Sequence, residues 1–396
     1  MFFTELPPEI LSHILSFLNG VAITKLSLTC KLMYQMSECD ILWKQRCLHE
    51  YKFTCLEGWN LSFKEVYAKV LHKYGFLHGL WKIRTDCYGG LVQVQYTDGS
   101  IVGHEYFGQQ DINKELIKAT LFTVSVEPSS GISLEWHRRM YKTTTPCTIN
   151  AEGCTPYERF SLVWHRDLND ESDEVDEMAK QRFAAECRLR GVQWLIHFTG
   201  DKFQNVNIQT QQFERLYLPA PLTVLDPLCP LREGLFKGMY SAHGTEIMLV
   251  TINWEKKDVS VLKISGDSNV PAGEVSVEAD LSRPMLLTRE QQITIEQVAA
   301  IDRDAPLPVI GDALTSFRQP FVIPTHESAD MEAPDMCLCR YHALGTVSPT
   351  GYVDPQRIPV HFVVFDADTF GVIWIDLYHF SFYRRVHEEL GASGVS

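Results

Sequence analysis

The stretch that decides the fold is Leu6-Pro7-Pro8-Glu9-Ile10-Leu11, which lies close to the N-terminus. Pro7 and Pro8 suit the first turn of a helix, because proline lacks the N–H that would be unpaired there and its φ angle is already set. The apolar residues that follow keep a helical spacing, and they are Ile14, Leu15 and Leu18. The pattern predicts a first helix that Asn19-Gly20 ends.

Two more short helices are predicted before residue 50. One carries Leu26, Leu28 and Leu32, and the next carries Ile41 and Trp43. Three short helices bury little apolar surface by themselves, so such a unit usually completes its core against a partner. The proline pair, the apolar spacing and the distal tryptophan resemble an F-box, the segment that docks a substrate receptor on the Skp adaptor of a cullin ubiquitin ligase. An ordinary N-terminal helical cap is the alternative.

The composition is that of a globular protein in a reducing compartment. The chain has 396 residues, enough for two or three domains, and 45% of them are apolar. Its eleven cysteines are scattered and odd in number, which does not favour a disulfide framework. With no secretory leader and no apolar run of membrane-spanning length, we expect no membrane association and a cytoplasmic or nuclear location, or both.

The net charge of −14 is unevenly distributed. Residues 1–75 hold 8 Lys and Arg against 7 Asp and Glu, whereas the remainder holds 28 against 43. An acidic body without a basic stripe repels phosphate backbones. Nucleic acid is therefore not expected as a partner.

A change from helix to strand is predicted near residue 77. Residues 61–74 have the spacing of one more helix, and Tyr67 is expected to share a core with Trp43. Short β-rich runs separated by turn signals then follow, at 91–96, 101–104, 121–126, 246–252, 259–264, 274–281, 360–365 and 372–377. We predict an α+β fold in which a three-helix unit (1–50) and a helical linker (51–76) precede a mainly antiparallel, β-barrel-like domain (77–390).

Two stretches of the β-rich part resemble each other. They are Gly79-Leu80-Trp81-Lys82 and Gly234-Leu235-Phe236-Lys237-Gly238. Each would put an aromatic side chain and a glycine turn at the entrance of a strand, although chance similarity is an alternative. Two helical insertions are predicted at 175–190 and 288–301.

Metal sites and catalytic motifs are only weakly indicated. The chain has no phosphate-binding loop, nucleophile elbow or His-Glu-x-x-His motif, so no catalysis is predicted. Cys337-Leu338-Cys339 with His342 lacks a second Cys pair, and buried thiols are the alternative. A wider set matches no standard finger spacing, and it comprises His137, Cys147, Cys154 and His165.

Several longer motifs resemble one family of F-box substrate receptors, the F-box only protein 31 family. These motifs are residues 63–74, Tyr88-Gly89-Gly90-Leu91, residues 234–244, residues 264–273 and residues 362–374. The resemblance extends from Leu6 to Val386. It implies a β-barrel-like body whose cavity takes the extreme C-terminus of a substrate, with D-type cyclins and C-terminally amidated proteins among the substrates. It also implies the Skp adaptor and the cullin scaffold as partners.

The resemblance also implies site residues. The adaptor-binding residues would be Leu6, Pro7, Ile10, Leu11, Ile14, Leu15, Leu18 and Trp43. By this resemblance the substrate-binding residues would be Lys263, Gly266 and Asp267. Separately, the candidate apolar walls of the pocket are Phe236, Tyr240 and Trp374. Asp267 would face the ligand beside Lys263, although an Asx turn is the alternative for this aspartate and plain barrel core for the three aromatic residues. The family's zinc pattern is not reproduced, since Trp136 stands at one ligand position, so no metal or cofactor is assigned.

The function that these observations favour is that of a substrate receptor, which holds a protein for ubiquitination and performs no bond chemistry itself. Two alternatives stay open. One is a lipocalin-like carrier of small molecules, and the other is an F-box scaffold without a role in degradation.

Overall fold

The computed structural model describes residues 6–84, 87–109, 111–127, 131–138, 143–154, 156–164, 210–220, 225–239, 244–301, 317–324, 333–386 and 390. By its internal contacts the chain divides into two compact units. The first comprises residues 1–79, 93–104 and 120–166, and the second comprises residues 80–92, 105–119 and 167–396. The boundaries predicted from the sequence stay predictions.

The first unit begins with four helices where the sequence predicts three. They are α1 (Pro8–Leu15), α2 (Gly20–Ser27), α3 (Lys31–Ser37) and α4 (Asp40–Tyr51). Asn19 does not end α1 but caps α2, since its side-chain oxygen accepts a hydrogen bond from the Ala22 N–H at 2.9 Å. The predicted second helix is divided between α2 and α3, because Cys30 adopts an extended conformation ahead of Lys31.

A further helical run covers residues 63–74, close to the predicted 61–74. It consists of α5 (Phe63–Val66), a π-helical turn (Tyr67–Leu71) and α6 (His72–Tyr74), and a 3₁₀ turn (Gly75–Leu77) follows. The run begins with a capping box, in which Ser62 and Glu65 each accept a hydrogen bond from the other's backbone N–H. The ring of Tyr67 lies 5.0 Å from that of Trp43, which confirms the predicted shared core.

Eighteen strands follow in the described part of the chain. They are β1 (Gly79–Ile83), β2 (Leu91–Thr97), β3 (Ser100–Phe107), β4 (Ile117–Glu127), β5 (Gly131–Arg138), β6 (Thr143–Glu152), β7 (Arg159–Trp164), β8 (Thr210–Arg215), β9 (Gly234–Met239), β10 (Thr245–Asn253), β11 (Asp258–Lys263), β12 (Val275–Pro284), β13 (Gln319–Pro320), β14 (Met336–Cys337), β15 (Cys339–Val347), β16 (Gln356–Val364), β17 (Thr369–Trp374) and β18 (His379–Arg385).

These strands form two closed barrels of eight strands each and one two-stranded sheet. The first barrel contains β1 to β8 in chain order, and the second joins β10, β11, β12, β15, β16, β17, β18 and β9. The α+β class is therefore confirmed, with two barrels where the sequence predicts one barrel-like body. The two similar Gly-aromatic-Lys stretches form β1 and β9, the first strand of each barrel. Their glycines share a left-handed backbone, with φ of 122° at Gly79 and 129° at Gly234.

The second barrel lies wholly in the second unit and has a filled interior. Its inward-facing side chains form one apolar cluster to which all eight strands contribute. Phe370 is central in it, with the Tyr383 ring stacked at 4.5 Å and the Phe236 ring at 5.1 Å. Close packing of this kind leaves the barrel a solid core.

The predicted helix at 288–301 is wrong in extent. A 3₁₀ turn (Glu290–Gln292) is followed by a separate short helix, α7 (Ile295–Ala299), because Thr294 caps the second piece by accepting from the Gln297 N–H. Ile295 and Val298 of α7 pack on the outer face of the second barrel. The other predicted insertion, at 175–190, lies outside the described residues. None of the described helices combines the length and the hydropathy needed to span a bilayer.

Candidate functional site

A buried ammonium group between two carboxyl groups marks one end of the second barrel. Lys263, the last residue of β11, has its Nζ 3.0 Å from Asp267 Oδ2. The same Nζ lies 3.0 Å from Oε1 and 2.9 Å from Oε2 of Glu246, near the start of β10. The Lys263 side chain is fully buried, and the two carboxyl groups are at least nine-tenths buried. The cluster is held by strand pairing, since Met248 lies opposite Lys263 and Glu246 precedes Met248 by one strand period.

The loop of residues 264–274 gives Asp267 its position. Asp267 Oδ1 accepts hydrogen bonds from the N–H groups of Asn269 and Val270, so the residue forms the Asx turn that was the alternative in the sequence analysis. Oδ1 of Asp267 thus accepts the hydrogen bonds of the turn, and Oδ2 forms an ion pair with Lys263. Because about a tenth of the side chain is exposed, contact between Asp267 and a ligand stays a prediction.

Gly266 is required at this loop by close backbone packing. A Cβ atom there would lie 2.3 Å from the backbone nitrogen of Ala272. The Gly266 N–H donates to the Tyr88 carbonyl at 2.9 Å, and the Ala272 N–H donates to the Cys87 carbonyl at 2.8 Å. Two separate motifs of the sequence, at 88–91 and 264–273, therefore pack against each other.

The two carboxyl groups have opposite pKa shifts. Burial raises the pKa of Glu246 to about 8, and nearby Asp267 adds to this, against the lowering effect of Lys263. Burial alone would also raise the pKa of Asp267, but Lys263, a hydrogen bond with Glu246 and the Val270 N–H outweigh it and hold that pKa near 2. At neutral pH the cluster therefore consists of an ammonium, the Asp267 carboxylate and a protonated Glu246.

The predicted aromatic residues lie in the core rather than beside this cluster. Phe236 is fully buried in the barrel interior and has no exposed surface for a substrate. Trp374 is also buried; it lies at the same end of the barrel as Lys263, its ring packs over Gly345, and its Nε1–H donates to Ser381 Oγ at 3.2 Å. Both Phe236 and Trp374 are therefore residues of the barrel core, which was the alternative given for them. Tyr240 lies outside the described residues.

Glu246 was not predicted from the sequence. Neither were the exposed apolar side chains at the end of the second barrel that holds Lys263. Glu246 looks like an ordinary strand residue until the register of β10 with β11 is known. The hairpin turns at this end expose Val353, Leu377 and Tyr378, each about half exposed or more. Apolar residues in short turns between strands are the signal that could have indicated them.

The helical segment of the first unit also exposes apolar side chains. Leu11, Leu15 and Trp43 are buried and hold the helices together, so any role in adaptor binding is indirect for these three. Leu6, Ile14 and Leu18 are half-buried, and Pro7 and Ile10 are exposed. Four further side chains, which were not predicted to bind the adaptor, are more exposed than Ile10, and they are Phe17, Leu28, Tyr34 and Ile41. Tyr34 and Ile41 lie in α3 and α4, away from the buried residues of those helices, and Phe17 and Leu28 lie in the turns that follow α1 and α2.

Among the described residues, the Cys and His side chains that were considered as metal ligands do not form a site. Within the described residues, no three His, Cys, Asp or Glu side chains are grouped as metal ligands. Cys339 faces the barrel interior, whereas His342, three residues on, lies on the opposite face of β15. Trp136 stacks on Trp164 with ring centroids 4.3 Å apart, and its Nε1–H can donate but cannot bind a metal. His165 lies outside the described residues.

Comparison with known proteins adds two family matches and several relatives. Residues 3–49 match the F-box-like model, and residues 213–389 match the model named Cyclin D1 binding domain. F-box only protein 31 of Mus musculus is 27% identical over 96% of this chain and 84% of its own length. The Homo sapiens protein of that name is 26% identical over 96% of this chain and 82% of its own, and F-box only protein 31-A of Xenopus laevis is 27% identical over 98% and 85%. The chain is thus similar to F-box only protein 31 over nearly its whole length, with an F-box-like segment followed by a segment that matches a cyclin D1 binding domain.

Proposed function

We propose that this chain is the substrate receptor of a Skp–cullin–F-box ubiquitin ligase and that it binds the C-terminal end of its target proteins. It is not itself an enzyme. It holds a target so that a ubiquitin-charged enzyme in the same complex reaches the target's lysines, and the rate gain comes from proximity. Its site of action is the cytoplasm, the nucleus or both.

The observation that carries the proposal is the exposure of apolar side chains on the F-box-like helices. Seven of the thirteen large apolar side chains that are exposed in the described residues lie between positions 10 and 48. Phe17 and Leu28 are 74% and 82% exposed. Exposed apolar groups at this density mark a surface for another protein, and in an F-box-like segment that protein is the Skp adaptor.

The adaptor half is tested by the double change Phe17→Ala/Leu28→Ala. Each side chain contributes about 1.5–3 kcal/mol if binding buries it fully, so copurification of the Skp adaptor should fall at least tenfold. Because both side chains are exposed, the free energy of unfolding should change by less than about 1 kcal/mol. Tyr217→Ala, at a 64% exposed position of the second unit, is the matched control and should retain the adaptor. Full adaptor binding by the double variant would contradict the assignment.

The substrate half is supported by the end of the second barrel that holds Lys263 and Asp267. A chain terminus needs a few polar groups beside an apolar surface, and this end offers the Lys263 cluster and the exposed Val353, Leu377 and Tyr378. D-type cyclins are candidate targets, because residues 213–389 match the Cyclin D1 binding domain.

The Asp267 carboxylate favours a neutral terminus over a free carboxylate. Two like charges about 4 Å apart repel by about 4 kcal/mol at an effective dielectric constant near 20, and Lys263, whose Nζ lies 3.0 Å from Asp267 Oδ2, offsets part of that repulsion. A terminal carboxamide has no charge. Its NH₂ group can donate hydrogen bonds, and its oxygen can accept them. Amidated C-termini should therefore bind more tightly than free acids of the same sequence.

An array of decapeptides tests this reading. The array holds each of the twenty residues at the last position, and each peptide is made both as the acid and as the amide. We expect binding to depend on the last residue and to be tighter for amides. Equal binding of peptides that carry the same sequence internally would exclude a reader of termini.

Phe236, Phe370 and Tyr383 pack together inside the second barrel, which weakens the carrier alternative for that barrel. The cellular abundance of bound proteins distinguishes the scaffold alternative from a substrate receptor. A scaffold would bind the adaptor without changing the abundance of any protein that it binds.

A further inference from the structure

The turn between β15 and β16 contains a serine that is followed by a proline, Ser348-Pro349, which the proposed function does not use. Ser348 is half-buried, and Pro349 and Thr350 after it are exposed. A residue that precedes proline is pushed toward an extended backbone, the conformation in which protein kinases bind the segment that they modify. The Ser348 Oγ lies 3.1 Å from the carbonyl oxygens of Pro349 and Val353, both in the same turn.

This turn is hydrogen-bonded to the loop of residues 264–274, which holds Asp267. Asn269 of that loop donates its backbone N–H to Asp267 Oδ1 and its side-chain Nδ2–H to the Ser348 carbonyl, so one residue connects Ser348 to Asp267. We call the hydrogen bonds between turn and loop the clasp. They are Asn269 Nδ2 to the Ser348 carbonyl at 2.9 Å, the Gly351 N–H to the Ser268 carbonyl at 2.7 Å, and the Tyr352 hydroxyl to Glu274 Oε2 at 3.0 Å.

The clasp holds a turn whose backbone is strained. Tyr352 and Asp354 have φ angles of 54° and 51°, in the left-handed region that residues with a Cβ atom seldom adopt. Such conformations persist only while the surrounding contacts maintain them. Loss of the clasp should therefore let the turn change its conformation.

We propose that Ser348 is a phosphorylation site for a proline-directed protein kinase and that the phosphate releases the clasp and weakens substrate binding. In the reaction the γ-phosphoryl group of ATP is transferred to Ser348 Oγ, its bond to the β-phosphate oxygen breaks, ADP leaves, and the hydroxyl proton passes to the catalytic base of the kinase. The effect on binding rests on the proposed function, whereas the modification and the release of the clasp do not.

The phosphate changes both the hydrogen bonding and the charge of the turn. Phosphorylated Ser348 no longer has the proton that its Oγ donates, so two carbonyl oxygens of the turn face an oxygen without hydrogen. The added charge is close to −2. The turn already contains Asp354 and is bonded to Glu274, whose carboxyl groups repel the phosphate. Arg357 of β16 already forms an ion pair with Glu278.

The first test asks whether Ser348 is modified. The full chain, in complex with the Skp adaptor, is incubated with ATP and a recombinant mitogen-activated protein kinase or cyclin-dependent kinase, and the sites are mapped by mass spectrometry. We expect label on Ser348 but not on Thr145, which also precedes a proline but lies within β6, opposite Trp136. Ser348→Ala should lose this label, and Pro349→Ala, which keeps the hydroxyl group, should slow labelling at least tenfold. An unlabelled Ser348 with both kinases overturns the proposal.

The second test asks whether the phosphate releases the clasp. Amide hydrogen exchange is compared between the phosphorylated and the unphosphorylated chain for residues 264–274 and 348–355. We expect exchange at least tenfold faster in both segments after phosphorylation, with β10 and β11 unchanged as the internal control. Unchanged exchange in a chain that is labelled at Ser348 overturns the release of the clasp.

The third test measures substrate binding. The tightest-binding amidated peptide of the decapeptide array is titrated against wild type and Ser348→Ala, each before and after kinase treatment. We expect at least a tenfold loss of affinity for treated wild type and no change for treated Ser348→Ala. Equal affinities of treated and untreated wild type overturn the control of binding. If untreated wild type binds no peptide, the proposed function is overturned, and the labelling and exchange results still decide the modification and the clasp.

Discussion

Glu246 and Asp267 have carboxyl groups of the same kind, but their surroundings give them opposite protonation. Asp267 accepts two backbone N–H groups and Lys263, all of which favour its charged form. Among the described residues, Lys263 is the one group that offsets the burial of Glu246 and lowers its pKa. The difference decides which of the two holds the proton at neutral pH.

This assignment predicts how stability varies with pH. Glu246 keeps its proton in the folded chain to about pH 8 but loses it near pH 4.5 when unfolded, so its stabilising contribution is complete below pH 4.5 and is lost as the pH rises through 8. Asp267 acts in the opposite sense, with a contribution that is lost as the pH falls through about 2. Wild type should therefore lose stability from pH 5 to pH 9 relative to Glu246→Gln, by on the order of a few kcal/mol.

Urea unfolding of both chains at pH 5, 7 and 9, followed by tryptophan fluorescence, measures this difference. If the free energies of unfolding of wild type and Glu246→Gln change in parallel over these pH values, the pKa of Glu246 lies near its ordinary value and the assignment is wrong.

At the scale of single elements, the helix of residues 63–74 depends on its first turn. Ser62 Oγ accepts from the Glu65 N–H, and the Glu65 carboxylate accepts from the Ser62 N–H. The hydrogen bond from the Ser62 backbone is the main reason that the pKa of Glu65 is lowered to about 2. Ser62→Ala should cost about 1 kcal/mol of unfolding free energy, and Ser62→Asn, which also caps, should restore most of it.

Chemical unfolding of the two variants measures the effect. If Ser62→Asn loses as much unfolding free energy as Ser62→Ala, the packing of the serine and not its capping hydrogen bond stabilises the helix. Adaptor binding should be unchanged in both variants, since Ser62 lies outside the exposed apolar set.

Elements with strong periodicity were predictable from the sequence, and those with mixed composition were not. Helix 63–74 follows from its apolar spacing, and the strands near 91–97, 245–253 and 356–364 follow from apolar runs, each with at least four consecutive buried residues. Strands β5 and β6 were missed because their Thr, Glu and His residues, with Pro146 in β6, give no apolar run. Turn 28–30 was missed because leucines at helical spacing continue through it.

At the scale of the whole molecule, local patterns predicted strands but not their partners. The number of barrels follows from closure, in which β1 pairs with β8 and β9 pairs with β18. Such pairs join residues that are far apart in the chain. The Lys263–Asp267 pair could be predicted from the sequence, because the two residues are four positions apart. The contact of Glu246 with Lys263 could not be predicted, because it depends on the register between β10 and β11.

The proposed receptor binds the extreme C-terminus of its target protein. The most direct measurement is the affinity of the full chain, in complex with the Skp adaptor, for the tightest amidated decapeptide of the array and for the same peptide extended by Gly-Ser before the amide. We predict at least a tenfold loss on extension, because the added residues would move the amide away from the proposed contacts with Lys263 and Asp267. Equal affinity for the native and the extended peptide would contradict it and would indicate a groove that binds internal sequence.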